Sequence, residues 1–265
     1  MTVTTFIGGG KMGEAILSGM LKAGTAPHHI VVVEQLPARC DELRARYGIR
    51  IAGLAEGATA ADYIIVAVKP QGFDDALAAL RPHLQPHAVV ISIAAGKTLA
   101  TMEQLLPGVH CIRCMPNTPA LVGEGMAALS KGTYATDDDL RAAVDILATV
   151  GRTVVIPESL QNATLAMNGS GPAFYFYVME SFVEGGVALG LDRELAYELA
   201  LQTFIGSAEL IKQTGETPEQ LRKNVTSPGG TTAAAIAKFE ELALRDVLIA
   251  GQRACNDRGV ELSQS

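Results

Sequence analysis

Short β-branched segments alternate with amphipathic helical segments through the first 157 residues of the chain. The strand-like segments are VTTFIG, HIVVVEQ, GIRIA, DYIIVAVKP, AVVISIAAG, HCIRCMP, GMAALS and RTVVIP. Helical patterns such as KMGEAILSGMLKAG and PARCDELRARYG lie between them, and each of these two ends at a glycine, a common helix stop. This alternation predicts an α/β fold with right-handed crossovers and a mostly parallel, doubly wound sheet.

The strand patterns stop after Pro157. From Glu158 to the end only helical patterns remain, interrupted at GSGP, LGLD, QTGETP and TSPGG. A length of 265 residues allows two domains. The change of pattern therefore predicts an α/β domain at residues 1–157 and an all-helical domain at residues 158–265.

A glycine-rich loop, FIGGGKMGEAI, follows the first predicted strand and opens the first predicted helix. Gly8, Gly10 and Gly13 satisfy the pattern G-x-G-x-x-G, in which the glycines allow a tight turn, close approach to a pyrophosphate and close helix packing. The exposed N–H groups of the helix start favour phosphate. We therefore expect a Rossmann-like dinucleotide site that includes Lys11 and Met12. A tight glycine turn without a ligand is the alternative.

The second predicted strand ends at Glu34, 21 residues after Gly13. An acidic residue at this distance typically bonds the ribose 2′-hydroxyl of a dinucleotide. The sequence therefore adds Glu34 to the predicted cofactor site.

Three further loops are predicted at the carboxyl ends of strands, where an open α/β sheet binds its ligands. AVKPQ and IAAGK add a second group of expected cofactor contacts: Ala67, Val68, Lys69, Pro70, Ala94, Ala95 and Gly96. In MPNTP, Asn117 lies between two prolines and is expected to present its amide to the substrate. A solvated Lys69 and an Asn117 that only forms a turn are the alternatives.

Composition excludes several classes of function. The net charge of −7 provides no basic footprint for nucleic acid or anionic membrane. The N-terminus has no basic segment before an apolar one, and the apolar stretch PAFYFYVMESFVEGGVALG is interrupted by Glu180 and Glu184. We therefore expect a soluble cytoplasmic protein with no signal peptide, no membrane partner and no nucleic-acid partner.

The four cysteines indicate neither metal nor redox chemistry. Cys111 and Cys114 form a C-x-x-C, but residues three apart on a strand point to opposite faces. No second pair of cysteine or histidine residues has zinc-ligand spacing. We expect structural thiols and no metal.

A second loop rich in glycine and hydroxyl residues opens a predicted helix late in the chain, in NVTSPGGTTAAAIAKFEE. Together with GGGKMGEAI, AVKPQ, MPNTPALVGEG and NGSGPAF, its motif NVTSPGGTT resembles pyrroline-5-carboxylate reductase, in order and spacing from about residue 5 to about residue 255. The resemblance implies a Rossmann domain, a helical dimerisation domain, and reduction of a cyclic imine to L-proline with NADPH (NADP) or NADH (NAD). It also implies a homodimer that often assembles into a decamer.

The resemblance implies roles for the second loop as well. Backbone N–H groups and hydroxyls of SPGGTT would hold the substrate carboxylate, and the residue matching the family threonine near the ring nitrogen is Thr232. The expected substrate contacts are Ser227, Gly229, Gly230, Thr231 and Thr232, with Thr232 as the catalytic residue. The protonated imine can form in water, so a strong general acid is not required. A helix N-cap with flexible glycines is the alternative.

Two other functions remain open at this point. A β-hydroxyacid dehydrogenase would use a lysine on the first long helix of the second domain, and NGSGPAFYFYVMES has none. A non-catalytic dinucleotide sensor would not need SPGGTT.

The segment after the second strand bears on the choice of dinucleotide. Family members that prefer NADPH often carry an arginine or a serine-rich stretch here, and this chain has VEQLPARC. Glu34 is predicted to repel a 2′-phosphate, so that NADH is used at least comparably, although Arg39 is expected to be within reach of a phosphate.

The helical half is predicted to associate. Its segment PAFYFYVMESFVEGGVALG is apolar nearly all round and must be buried. We therefore expect an obligate homodimer through residues 158–265.

Overall fold

The computed structural model describes residues 2–264, and the strands within them form one eight-stranded sheet in the order β3-β2-β1-β4-β5-β6-β7-β8. The strands are β1 (Thr4–Ile7), β2 (Ile30–Val33), β3 (Arg50–Ile51), β4 (Tyr63–Val66), β5 (Val89–Ser92), β6 (His110–Met115), β7 (Gly125–Lys131) and β8 (Gly151–Val155). Neighbouring strands are parallel except β6 and β7. The predicted α/β fold is confirmed, and each predicted strand is present.

The central strands are buried on both faces. β1 pairs with β2 and β4, placing Phe6 beside Val32 and Ile65. All four residues of β1 and of β5 are buried. Continuous apolar strands of this kind are typical of a parallel sheet covered by helices on both sides.

Two layers of helices provide that cover. The helices of the first part are α1 (Lys11–Lys22), α2 (Pro37–Tyr47), α3 (Leu54–Thr59), α4 (Phe73–Leu80), α5 (Leu99–Leu105) and α6 (Asp137–Ala148). Residues of α1, α2 and α6 form one buried cluster with the sheet, and residues of α3, α4 and α5 form the other. This arrangement is the predicted doubly wound plan.

Cys111 and Cys114 show the alternation of β6. Both are free and buried, and they belong to the two different core clusters on opposite faces of the sheet. Burial, with the nearby carboxylate of Glu103, raises the pKa of Cys111 to about 12. Burial also raises the pKa of Cys114. The interpretation as structural thiols agrees with this placement.

Helices follow β8 to the end of the described chain: α7 (Gln161–Thr164), a π-helical turn (Leu165–Gly169), α8 (Gly171–Ala188), α9 (Arg193–Thr214), α10 (Pro218–Asn224), α11 (Thr231–Glu241) and α12 (Leu244–Ser263). The predicted breaks at LGLD, QTGETP and TSPGG are present. The break between α11 and α12 was not predicted. It occurs at Ala243, whose φ of 53° lies in the left-handed region.

The chain divides into two compact units. Gly171–Ala254 forms one, and the rest of the described chain, including Cys255 onward, forms the other with the sheet. Gln161 connects α7 to the sheet, because its buried Nε2 donates to Ser130 Oγ in β7 at 2.8 Å. The domain boundary expected at residues 157 and 158 stays a prediction.

Candidate functional site

The first glycine loop connects β1 to α1 with an open helix start. Gly8 has a φ of +102°, and a Cβ on Gly13 would lie 2.9 Å from the Gly8 carbonyl oxygen. Gly10 is the N-cap of α1, no side chain caps the helix, and a Cβ on Gly10 would meet nothing within 4 Å. The first N–H groups of α1, beginning at Lys11 and Met12, therefore remain available to a phosphate, as a pyrophosphate cradle requires.

The peptide groups around Gly9 are held from two sides. The N–H of Gly9 donates to Glu34 Oε2 at 2.8 Å, and its carbonyl accepts from Arg39 Nε at 2.8 Å. A Cβ on Gly9 would lie 2.7 Å from Leu43 Cδ1, so a side chain at this position would require the buried Leu43 to shift. The sequence pattern did not single out Gly9, because the fingerprint leaves its position free.

Glu34 lies at the end of β2, where the sequence places it, and its carboxylate is held ionised. Its second oxygen accepts from the backbone N–H groups of Gln35 at 2.7 Å and Leu36 at 3.0 Å. Partial burial pushes the pKa of Glu34 upward, but the backbone hydrogen bonds and nearby Arg39 outweigh it and lower the pKa. An ionised acceptor fits a ribose hydroxyl and repels a phosphate.

Arg39, which the sequence leaves within reach of a phosphate, is bonded to protein groups. Its Nε bonds the loop carbonyl, its Nη1 donates to Glu42 at 2.7 Å and its Nη2 donates to Glu14 at 2.5 Å. All three nitrogens are engaged. The sequence could not show this, since the partners lie on α1 and on the same face of α2.

The loop after β4 lies against the first glycine loop. A Cβ on Gly8 would be 3.0 Å from the carbonyl oxygen of Ala67, so these two loops are adjacent. Val68 is partly buried and Lys69 is exposed, and a 3-10 turn begins at Pro70. The structure thus brings Ala67 and Val68 next to the predicted pyrophosphate cradle, and Lys69 and Pro70 follow them in the same loop.

The loop after β5 belongs to the same edge of the sheet, since β5 is parallel to β4. The N–H of Ala94 donates to Ser92 Oγ at 3.2 Å, and Ala95 follows it. Gly96 has a φ of +77°, and a Cβ there would lie 3.2 Å from Leu262 Cβ, in the last turn of α12. The carboxyl ends of β1, β2, β4 and β5 therefore carry all the predicted cofactor residues.

The side chain of Asn117 bonds the start of β7. Its Oδ1 accepts from the Met126 N–H at 2.8 Å, which favours the turn-forming alternative for that oxygen. Asn168, in the π-helical turn, donates from Nδ2 to the carbonyls of Met126 at 2.9 Å and Met115 at 3.3 Å. Asn168 therefore braces the loop that contains Asn117. The motif NGSGP contains Asn168, but its role depends on contacts that the sequence does not show.

The second loop lies in the other compact unit and also has an open helix start. Gly229 has a φ of +71°, and Gly230 is the N-cap of α11 with no side-chain cap. A Cβ on Gly230 would lie 2.5 Å from Ser227 Oγ. Thr231 is exposed and Thr232 is partly buried, and within residues 2–264 neither hydroxyl makes a hydrogen bond. No side-chain hydroxyl caps α11, and both the ligand-binding interpretation of this loop and its alternative, a helix N-cap with flexible glycines, stay predictions.

No group of three or more histidine, cysteine, aspartate or glutamate residues in the described part of the chain is arranged to hold a metal ion. None of its helices is long and apolar enough to cross a membrane.

Together the uncapped α1, the ionised acid at the end of β2 and the clustered strand-end loops define a dinucleotide-binding Rossmann protein. In the helical segment that follows, α11 starts at a second glycine loop and has no side-chain cap. This combination is that of a two-part, dinucleotide-dependent oxidoreductase.

Comparisons with known proteins identify the family. The family model described as pyrroline-5-carboxylate reductase dimerisation matches residues 158–262, and the model described as NADP oxidoreductase, coenzyme F420-dependent, matches residues 3–96. The pyrroline-5-carboxylate reductase of Corynebacterium melassecola is 41% identical over an alignment of 269 positions that covers 100% of each chain.

Two solved structures of the same kind are similar throughout. The pyrroline-5-carboxylate reductase of Coxiella burnetii has a TM-score of 0.94 at 34% identity, covering 100% of this chain and 99% of that chain. The Plasmodium falciparum enzyme, solved with NADP bound, has a TM-score of 0.88 at 27% identity, covering 99% and 98%. The chain belongs to the pyrroline-5-carboxylate reductase family and is an NAD(P)H-dependent oxidoreductase. The resemblance seen in the five motifs is confirmed.

Proposed function

We propose that this chain reduces 1-pyrroline-5-carboxylate to L-proline with NAD(P)H, the last step of proline biosynthesis. The observation that carries the proposal is the second loop, where an uncapped helix start and unpaired hydroxyls form a ready site for a small carboxylate. Neither a β-hydroxyacid dehydrogenase nor a dinucleotide sensor accounts for this loop. Family membership supports the same substrate.

The first loop is the proposed cofactor site. The N–H groups at the start of α1 bind the pyrophosphate, Glu34 accepts from the adenosine ribose, and the loops at residues 67–70 and 94–96 line the rest of the cleft. A Cβ on Gly8 or Gly13 would approach loop backbone within 3.0 Å, so the close backbone cradle depends on these glycines. When bound, the reduced nicotinamide supplies a hydride.

The second loop is the proposed substrate site. The N–H groups at the start of α11 hold the carboxylate, with Ser227, Gly229, Gly230 and Thr231 shaping the loop around it. Thr232 hydrogen-bonds the ring nitrogen and fixes the orientation of the imine. Asn117 is the further substrate contact expected from the sequence. Its Oδ1 is bonded to the Met126 N–H, so its Nδ2 group is the one that would contact the substrate. Because protonated imine forms in water, positioning supplies most of the acceleration.

We also propose a homodimer through the helical segment, with a decamer as a further assembly, in the cytoplasm. In the unit Gly171–Ala254 the buried apolar cluster contains only Val183, Ala196 and Ala200, with Met179 against it. Many large apolar side chains of this unit are exposed, among them Tyr175, Phe176, Tyr177, Leu189 and Leu195. An isolated copy leaves this apolar surface in water, which supports association. The net charge supports neither nucleic acid nor membrane as a partner.

The test is a turnover assay with defined alternatives. The purified protein is mixed with NADPH or NADH and 1-pyrroline-5-carboxylate, and the fall in nicotinamide absorbance is followed while L-proline is quantified. Stoichiometric proline formation is expected. Oxidation of β-hydroxyacids with NAD(P)+ in place of this reaction would identify the dehydrogenase alternative. Dinucleotide binding without turnover of either substrate would identify the sensor.

A further inference from the structure

Arg39, the cation that contacts the first glycine loop, is paired with an acid on α1. Arg39 lies in the first turn of α2, directly after the Glu34 segment, where the 2′-phosphate of NADPH would be received. Its Nη2 donates to Glu14 at 2.5 Å, and the two side chains are only 20% and 15% exposed. The guanidinium of Arg39, which could pair with a phosphate, is therefore paired with Glu14.

Glu14 is the centre of this arrangement. One of its oxygens accepts from Arg39, and the other accepts from Arg46 at 2.7 Å and Tyr47 at 2.8 Å. Burial pushes the pKa of Glu14 upward, but the hydrogen bonds from Arg39, Tyr47 and Arg46 outweigh it and lower the pKa. Glu14 is therefore ionised and fully engaged, and it anchors Arg39 firmly. Glu42, the other partner, is 44% exposed and holds Arg39 less tightly.

We propose that Glu14 is a specificity-determining residue for the dinucleotide and that it acts by positioning Arg39. Glu14 holds the Arg39 guanidinium against α1, while Arg39 Nε bonds the Gly9 carbonyl, so that Arg39 does not pair with a 2′-phosphate. Glu34 repels the same phosphate directly. This inference rests on the proposed NAD(P)H-dependent function. Besides Glu34, which follows β2, it identifies Glu14 on α1 as a second residue that disfavours NADPH.

The alternative role of Glu14 is structural, since an acid in the first turn of a helix interacts favourably with the helix dipole. Glu56 provides a matched control: it is also an acid in the first turn of a helix, and it pairs with Arg50 at 3.0 Å. Loss of a helix-stabilising charge changes stability in both variants. It does not change the choice between NADPH and NADH.

The experiment measures kcat/KM for NADPH and NADH in wild type, Glu14→Gln, Glu56→Gln, Arg39→Met and the double variant Glu14→Gln with Arg39→Met. Glu14→Gln is expected to raise the NADPH-to-NADH ratio by about tenfold, since a hydrogen bond from a freed guanidinium to a phosphate changes an equilibrium by roughly this factor. The change should appear in KM for NADPH, with kcat nearly unchanged. Glu56→Gln, Arg39→Met and the double variant should keep the wild-type ratio.

Three outcomes would overturn the inference: an unchanged ratio in Glu14→Gln, the same rise in the double variant, or a large loss of NADPH use in Arg39→Met alone. Affinities for both dinucleotides without substrate, from the fluorescence of the reduced nicotinamide, separate this test from the proposed reaction. A protein that binds NADPH and NADH with the expected ratio changes, but does not form proline, supports the inference and refutes the proposed substrate. A protein that binds neither refutes both.

Discussion

Thr232 carries the chemistry proposed for the second loop, and its hydroxyl has no partner among residues 2–264. A hydrogen bond to a charged group contributes about 1.5–3 kcal/mol, so Thr232→Ala should lose roughly ten- to 150-fold in rate. We expect kcat to fall as well as kcat/KM, because the bond orients the imine during hydride transfer. Steady-state kinetics with 1-pyrroline-5-carboxylate measure both.

The control variant for this position is Thr232→Ser, which keeps the hydroxyl and should recover most of the rate. Dinucleotide binding without substrate should be unchanged in both variants. Normal turnover by the alanine variant would show that Thr232 has no catalytic role and only belongs to the start of α11. Loss of dinucleotide binding would mean that the second loop serves the cofactor.

Glu34 acts on the cofactor by charge. Its carboxylate is held ionised by three backbone N–H groups, so a 2′-phosphate nearby meets a fixed negative charge. Wild type is expected to use NADH at least comparably with NADPH. Glu34→Ser should shift the preference toward NADPH by a few kcal/mol at most, roughly the energy of one close charge pair near a surface. A wild-type preference for NADPH above about a hundredfold, some 2.7 kcal/mol, would contradict this.

At the scale of single elements, strand β6 places the two cysteines of its C-x-x-C on opposite faces of the sheet. Cys111 and Cys114 point to opposite faces and into different core clusters, and burial raises the pKa of both thiols. Because the thiolate is the reactive form, neither should react with a thiol reagent at about pH 8 while the protein is folded. The double variant Cys40→Ser with Cys255→Ser should therefore remain unlabelled until denaturant is added. Rapid labelling of the native variant would show that β6 opens readily.

Two helices that follow the glycine loops start in the same way. α1 and α11 both begin after a glycine N-cap without a side-chain cap, and each leaves N–H groups unpaired. By contrast, α6 begins with a capping box, in which Thr136 and Asp139 satisfy each other's backbone groups. An uncapped start does not by itself mark a ligand site, because α3 and α4 also begin at glycine N-caps without a side-chain cap.

At the scale of the whole molecule, association is the main expectation. The helical segment matches a dimerisation family model, and its exposed apolar side chains include Tyr177, which is 72% exposed in α8. We expect light scattering to show no monomer at micromolar concentration. Tyr177→Glu should weaken the assembly, because it places a charge on an apolar surface.

The matched control is Tyr134→Glu, which changes an exposed tyrosine, 53% exposed, outside the dimerisation segment. That variant should keep the wild-type mass. A fully active wild-type monomer would contradict the expected obligate dimer, and equal loss of mass in both variants would point to general destabilisation.

The sequence by itself determined the eight strands, the change to helices after Pro157 and the two glycine loops. These features depend on short-range physics. Side-chain periodicity sets strand and helix, and glycine supplies the positive φ that Gly8 and Gly229 adopt. The motif order was also sufficient to identify the family.

Only the tertiary structure decided how separated side chains combine around these loops. Arg39 meets Glu14 across 25 residues of chain, and Asn168 reaches Met126 across 42. The same holds for the packing of Leu262 against Gly96. Such contacts arise when helices pack onto the sheet, and local patterns do not encode which face or rotamer meets which partner. For this reason the sequence left Arg39 within reach of a phosphate, while the folded protein pairs it with Glu14.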